Sequence, residues 1–135
     1  MKAGYGRHAI LRAEWIHVAV VDDDDGFLRA IERLLRVSGF EPVAYSSAEA
    51  FLADATHARL DCALFDIHLG GMSGLDLCRR LVAEGSALPV IFVTARDEAT
   101  VRRQAEELGC SAFLKKPVSR EVLINAINKA LGRGD

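Results

Sequence analysis

Four consecutive aspartates, Asp22 to Asp25, follow the apolar run Val18-Ala19-Val20-Val21, and a further aspartate, Asp66, closes a second such run, Cys62-Ala63-Leu64-Phe65. Thr94 ends a third run that begins at Pro89-Val90, and Lys116 follows a fourth, Ala112-Phe113-Leu114. Carboxylates gathered in one place repel one another and resist full ionisation unless a cation joins them. Mg²⁺ suits such a place, because it takes octahedral oxygen ligands and typically uses one or two carboxylates together with phosphate oxygens. A carboxylate not fully engaged by the metal can attack phosphorus and form an acyl phosphate. A lysine ammonium would pair with the new charge, and a threonine hydroxyl would hydrogen-bond a phosphoryl oxygen. Each residue alone has a plainer reading. The acidic run is a solvated turn or helix start, with Asp25 as N-cap or dipole partner of the first helix. Asp66 is a strand-end turn residue, Thr94 an ordinary strand threonine, and Lys115 and Lys116 surface charge. The chemistry rests on their joint placement at the ends of four apolar runs.

That placement requires an open sheet, where ligands bind outside the carboxyl ends of the strands. The pattern supplies one. Val18 to Val21 fits a strand covered on both faces. Phe27, Leu28, Ile31, Leu34 and Leu35 then recur at helical spacing, with Gly39 as C-cap. Glu41 to Tyr45 is a second strand, and Ser46 with Glu49 has the form of a capping box that opens a helix through Phe51 and Leu52. The strand ending at Asp66 precedes a helix opened by Ser73 and Asp76. The strand ending at Thr94 precedes a charged helix from about Asp97 to Leu108, closed by Gly109. The last strand leads to a helix capped by Ser119, with Val122, Leu123, Ala126, Ile127 and Leu131 on one side. Five strands alternating with five helices predict right-handed crossovers and a parallel sheet with helices on both faces.

With 135 residues, half of them hydrophobic, the chain has the size of one compact domain. A formal net charge of -2 gives no electrostatic case for nucleic-acid binding. Three cysteines, Cys62, Cys78 and Cys110, without a C-x-x-C pair read as small buried apolar residues in a reducing compartment. No apolar run is long enough to span a bilayer. The basic start (Lys2, Arg7, His8) is followed by an apolar stretch broken at Arg12 and Glu14, which is not a signal peptide. A cytoplasmic protein without membrane contact is expected. Residues 1–16 read as an N-terminal extension whose Ala9 to Ile16 segment is either a short helix or a tail, residues 17–132 as the domain, and 133–135 as a C-terminal tail.

From about His17 to Leu131 the chain resembles the receiver domain of bacterial two-component response regulators. The pieces that carry the resemblance are Val20-Val21-Asp22-Asp23-Asp24, Phe65-Asp66, Met72-Ser73-Gly74, Val93-Thr94-Ala95 and Phe113-Leu114-Lys115-Lys116-Pro117. Each is weak alone, and in this order and spacing they are specific. The resemblance implies a flavodoxin-like (βα)5 fold with strand order 2-1-3-4-5. It implies that Asp66 is the phosphoacceptor, that Asp22 and Asp23 bind Mg²⁺ with Asp66, and that the backbone carbonyl of His68 is a further ligand. Thr94 would sense the phosphoryl group and Lys116, next to Pro117 in a bond that is usually cis, would pair with it. Phe113 matches the aromatic switch position.

The implied function is a phosphorylation-dependent switch. A sensor histidine kinase or histidine phosphotransfer protein would donate to Asp66, and the surface of helix four, strand five and helix five would then change for a downstream target, an output domain or a second copy in a phosphorylation-dependent homodimer. The chain would catalyse only its own phosphorylation and slow dephosphorylation. Departures from the family pattern are Gly70, where proline is common, which makes the Gly70-Gly71 loop more permissive, and the large His68 and Arg96 flanking the site, expected to slow hydrolysis. The His68 side chain is expected to be neither metal ligand nor relay histidine. A rival reading is a constitutive receiver-like interaction module that is never phosphorylated. A third, a hydrolase with an aspartate nucleophile, is disfavoured because His68 stands where such sites carry a second acid.

Overall fold

The computed structural model describes residues 15–133; the proposed extension up to Glu14 and the last two residues of the tail lie outside them. The elements are β1 (His17–Val21), α1 (Asp25–Val37), β2 (Glu41–Tyr45), α2 (Ala48–Ala53), a 3-10 turn (Ala55–Arg59), β3 (Cys62–Phe65), α3 (Gly74–Ala83), β4 (Val90–Thr94), α4 (Ala99–Glu107), β5 (Ala112–Lys115) and α5 (Arg120–Ala130). The five strands form one parallel sheet in the order β2-β1-β3-β4-β5, as the resemblance implied.

Side chains alternate between the faces of a strand, so each apolar run feeds two cores. Ala19, Val21, Ala63, Phe65, Val90 and Phe92 pack on one face with Phe51 of α2, Leu77 and Leu81 of α3 and Ala105 of α4. Val18, Val20, Cys62, Leu64, Ile91 and Val93 pack on the other with Leu28, Ile31 and Leu35 of α1 and Leu123 and Ile127 of α5. Both faces are covered, which is why the strands read as unbroken apolar runs. On the first face a row of rings crosses the sheet. Tyr45 meets Phe51 at 5.2 Å between centroids, Phe51 meets Phe65 at 5.5 Å, Phe65 meets Phe92 at 6.3 Å and Phe92 meets Phe113 at 6.2 Å.

The caps differ from expectation in three places. The N-cap of α1 is Asp24, whose carboxylate accepts the Phe27 N–H at 3.1 Å, and Asp25 is the first helical residue. Ser47, not Ser46, caps α2 by accepting the Ala50 N–H at 3.0 Å, and no capping box forms because Glu49 turns to the Met72 N–H at 3.0 Å. α4 starts at Ala99 rather than Asp97, since Asp97 is held by a two-pronged ion pair to Arg102 at 2.9 and 3.1 Å. Ser73 and Ser119 cap α3 and α5 as predicted. Val122, placed with the buried side of α5, is instead 50% exposed. Cys62 and Cys78 are buried but Cys110 is only half-buried. Burial pushes the Cys62 thiol up to about 12 and Cys78 up to about 11.

Two local devices fix the strand ends. Tyr45 donates its hydroxyl to Asp54 at 2.6 Å, and Asp54 also accepts the Thr56 N–H at 2.9 Å. The Tyr45 hydroxyl, then the Thr56 bonds, pull Asp54 down to about 2 from its ordinary 3.8. A folded-state value below the unfolded one means stability that is present above 3.8 and lost as pH falls through about 2. Gly74, at the start of α3, lies against the Asp66 backbone: a Cβ there would sit 1.9 Å from the Asp66 carbonyl oxygen. Its N–H also bonds the Ile67 carbonyl at 3.0 Å.

Two outcomes follow from these contacts. Gly74→Ala should lower unfolding stability by about 1–3 kcal/mol through forced backbone displacement, read as a lower urea midpoint; an unchanged midpoint would show that the β3–α3 turn has room to give. Tyr45→Phe should destabilise at neutral pH, and its gap from wild type should close on acidification between 3.8 and about 2. A gap that stays constant through that range would mean that the Asp54 contact does not set it.

Candidate functional site

The sheet brings its polar residues together by extending its ladders one residue past the strands. The Asp22 N–H bonds the Tyr45 carbonyl at 3.1 Å, the Asp66 N–H bonds the Val21 carbonyl at 3.0 Å, and the Lys116 N–H bonds the Thr94 carbonyl at 2.8 Å. Asp22, Asp66 and Lys116 are therefore anchored by backbone on three different strands. By the alternation that divides the cores, all three follow the face of α1 and α5, whereas Thr94 and Phe113 follow the face of α2, α3 and α4.

Asp22, Asp23 and Asp66 each offer a carboxylate oxygen, and these oxygens lie within 4.8 Å of one another. Asp22 is 1% exposed and Asp66 8%. Lys116 donates from Nζ to Asp22 Oδ2 at 2.7 Å and to Asp66 Oδ2 at 3.4 Å. Burial, more than any other influence, pushes the Asp22 carboxyl above its ordinary value despite the Lys116 bond and the Asp24 N–H that oppose it. Burial alone would lower Lys116, but its bond to Asp22 and the charges of Asp22 and Asp66 outweigh that and hold the ammonium above its ordinary value. Three carboxylates against one ammonium leave the cluster with surplus negative charge. An all-oxygen donor set with surplus negative charge fits a hard divalent cation such as Mg²⁺.

The turn after Asp66 is tied from two sides. The Gly70 N–H donates to Asp23 Oδ2 at 3.3 Å, and the Met72 N–H to Glu49, whose carboxyl is held low by that bond. Gly71 has φ +92, which favours glycine, and a Cβ on it would lie 2.9 Å from Glu49 Oε2, so a larger residue there would be strained and would push Glu49 aside. The expectation of a permissive Gly70-Gly71 loop is thus revised. A proline at position 70 would lack the N–H that meets Asp23. Among the described residues no hydrogen bond takes the His68 carbonyl, while its neighbour at Ile67 is occupied by Gly74. The His68 Nε2 lies 3.5 Å from Glu98 Oε1, and Arg96 approaches the same carboxylate at 3.9 Å.

Thr94 is fully buried, and its Oγ1 accepts the Arg96 N–H at 3.4 Å. Phe113 is half-buried between Phe92 and the Arg102 guanidinium, which lies 4.7 Å from its ring centroid. The Lys116–Pro117 bond is cis. Two residues escaped sequence reasoning. Glu49 holds the turn after Asp66, and the Phe27 ring lies under Lys116 Nζ, 4.1 Å from the centroid. The helical spacing that marked Phe27 as apolar carried no hint of a cation.

The family model described as "Response regulator receiver domain" matches residues 18–128. The response regulator protein TmoT of Ectopseudomonas mendocina is 35% identical over 84% of this chain and 52% of its own length. The sensory transduction protein RegX3 of Mycobacterium tuberculosis is 39% identical over 87% of this chain and 51% of its own. The chain spans about half the length of these relatives. The crystal structure of a response regulator receiver protein from Burkholderia phymatum superposes with a TM-score of 0.76 at 40% identity, covering 87% of this chain and 95% of that one. Sequence, fold and relatives converge, and the chain belongs to the response regulator receiver domain family.

Proposed function

We propose that this chain is a phosphoacceptor switch in two-component signalling. The observation that carries the reading is the cluster in which buried Asp66 shares Lys116 with buried Asp22 and stands beside the exposed Asp23. A phosphohistidine on a sensor histidine kinase or a histidine phosphotransfer protein is the donor. An Asp66 carboxylate oxygen forms the new bond to phosphorus as the phosphorus–nitrogen bond breaks, with its electron pair leaving on the imidazole. Asp22, Asp23, Asp66 and the His68 carbonyl would hold Mg²⁺, which when bound neutralises charge on the phosphoryl oxygens.

Lys116 then turns from the carboxylates to the phosphoryl group. Thr94 exchanges its weak contact with the Arg96 N–H for a phosphoryl oxygen, to which its hydroxyl donates. Phe113 repacks behind it, and the surface of α4, β5 and α5 changes for its reader. Such a local charge event is read out by a two-state element. That the relatives are about twice as long supports a reader in the form of an output domain. Any DNA contact belongs to that domain, and a homodimer through the changed surface is a second form of readout. The chain performs its own phosphorylation and slow dephosphorylation and turns over no external substrate. Its place of action is the cytoplasm, where kinase and phosphotransfer partners meet it; among the described residues no helix is long and apolar enough to cross a membrane.

The test is intact mass and peptide mapping after incubation with Mg²⁺ and acetyl phosphate. Wild type should gain one phosphate on the peptide that holds Asp66, and Asp66→Asn should gain none. No gain on wild type would favour a constitutive interaction module. The large His68 and Arg96 stand two residues after Asp66 and Thr94 and both approach the Glu98 carboxylate, so a His68→Ala, Arg96→Ala double variant should lose its phosphate several-fold faster. An unchanged decay would mean that water reaches the acyl phosphate by another path.

A further inference from the structure

The switch reading leaves one residue at the cluster without a task. Phe27 stands in the first turn of α1, far in sequence from every residue of the cluster except the acidic run. Its backbone is fixed by the Asp24 cap, which accepts the Phe27 N–H at 3.1 Å. Its half-buried ring lies 4.1 Å from Lys116 Nζ. An ammonium has three donors. Lys116 gives one to Asp22 at 2.7 Å and a longer one to Asp66 at 3.4 Å, and among the described residues no polar side chain takes a third. The ring face takes that flank instead.

We propose that Phe27 is a positioning residue for phosphoryl transfer, holding the Lys116 ammonium at the acceptor by a cation–π contact. The proposal rests on the reading of Asp66 as phosphoacceptor. The physical case lies in what a ring face does that a polar group would not. Lysine reaches the cluster on a flexible stem and must move from the short Asp22 bond toward the phosphoryl oxygens. A carboxylate or amide at position 27 would capture an N–H and compete with that movement. A ring attracts the charge without a directional bond, so the ammonium slides while staying at the site. The ring also covers that flank against water.

The plainer role, a hydrophobe packed beside Leu28 and Ile31 in the α1 core, makes different predictions. Phe27→Leu keeps apolar bulk and loses the ring face, while Phe27→Tyr keeps the face. In the resting protein the ring should displace the Lys116 ε-methylene proton resonances upfield. Phe27→Leu should abolish that displacement and slow phosphorylation by acetyl phosphate and Mg²⁺ by about threefold or more. Phe27→Tyr should restore both, and in a Lys116→Met background Phe27→Leu should cause no further slowing. Unchanged Lys116 resonances and rate in Phe27→Leu, or equal slowing with and without Lys116, would overturn the proposal while wild type still takes phosphate. A wild type that takes none would overturn the phosphoacceptor reading and this one with it.

Discussion

Neighbouring parallel strands lie about 4.8 Å apart, and that spacing forces two carboxylates together. Val21 and Phe65 are register partners on β1 and β3, so Asp22 and Asp66, the next residues on each, have nowhere to go but side by side. Asp23 joins them from the following position. Much of the surrounding structure answers this repulsion. Lys116 arrives from β5 to pair with both carboxylates, the Gly70 N–H turns to Asp23, and the Asp24 N–H bonds Asp22 Oδ1 at 2.9 Å. These donors leave the cluster short of positive charge, so its all-oxygen donor set fits a hard divalent cation better than it fits a finished ion pair.

Strand ends were legible in the amino-acid pattern because burial on both faces leaves apolar runs whose last residue is unmistakable. Asp66, Thr94 and Lys116 fall on one edge from the sequence alone. What was not legible was choice among equals. Asp24 and Asp25 have the same chemistry, as do Ser46 and Ser47, and only backbone geometry decides which one caps. Glu49 had a local partner on paper and a better one across the molecule at Met72. Phe27 had the spacing of a core residue, and nothing near it in sequence could reveal that a lysine from the far end of the domain would lie on its ring.

The two layers are joined differently from the way they are divided. Within the α2–α4 layer, the rings from Tyr45 to Phe113 form one packed row from edge strand to edge strand. A ring cannot turn in such a row without displacing its neighbour, because interiors are close-packed. Phe113 is the end member, half-buried and covered by Arg102, whose guanidinium is itself fastened to Asp97. Phe113 is thus at the open end of a packed series, next to α4, which has no side-chain bond at its N-cap.

The alternation of the strands places Asp22, Asp66, Lys116 and the Phe27 ring with the α1–α5 layer, and Thr94 and Phe113 with the other. The sheet therefore divides these residues between two layers, and the Lys116 N–H to Thr94 carbonyl bond joins the two sets at the strand ends. Inheritance can work on the two sides separately. On the proposed reading, descendants of such a domain could change the surface that a partner meets while the carboxylate cluster stays as it was, and one reaction could be rewired into many circuits.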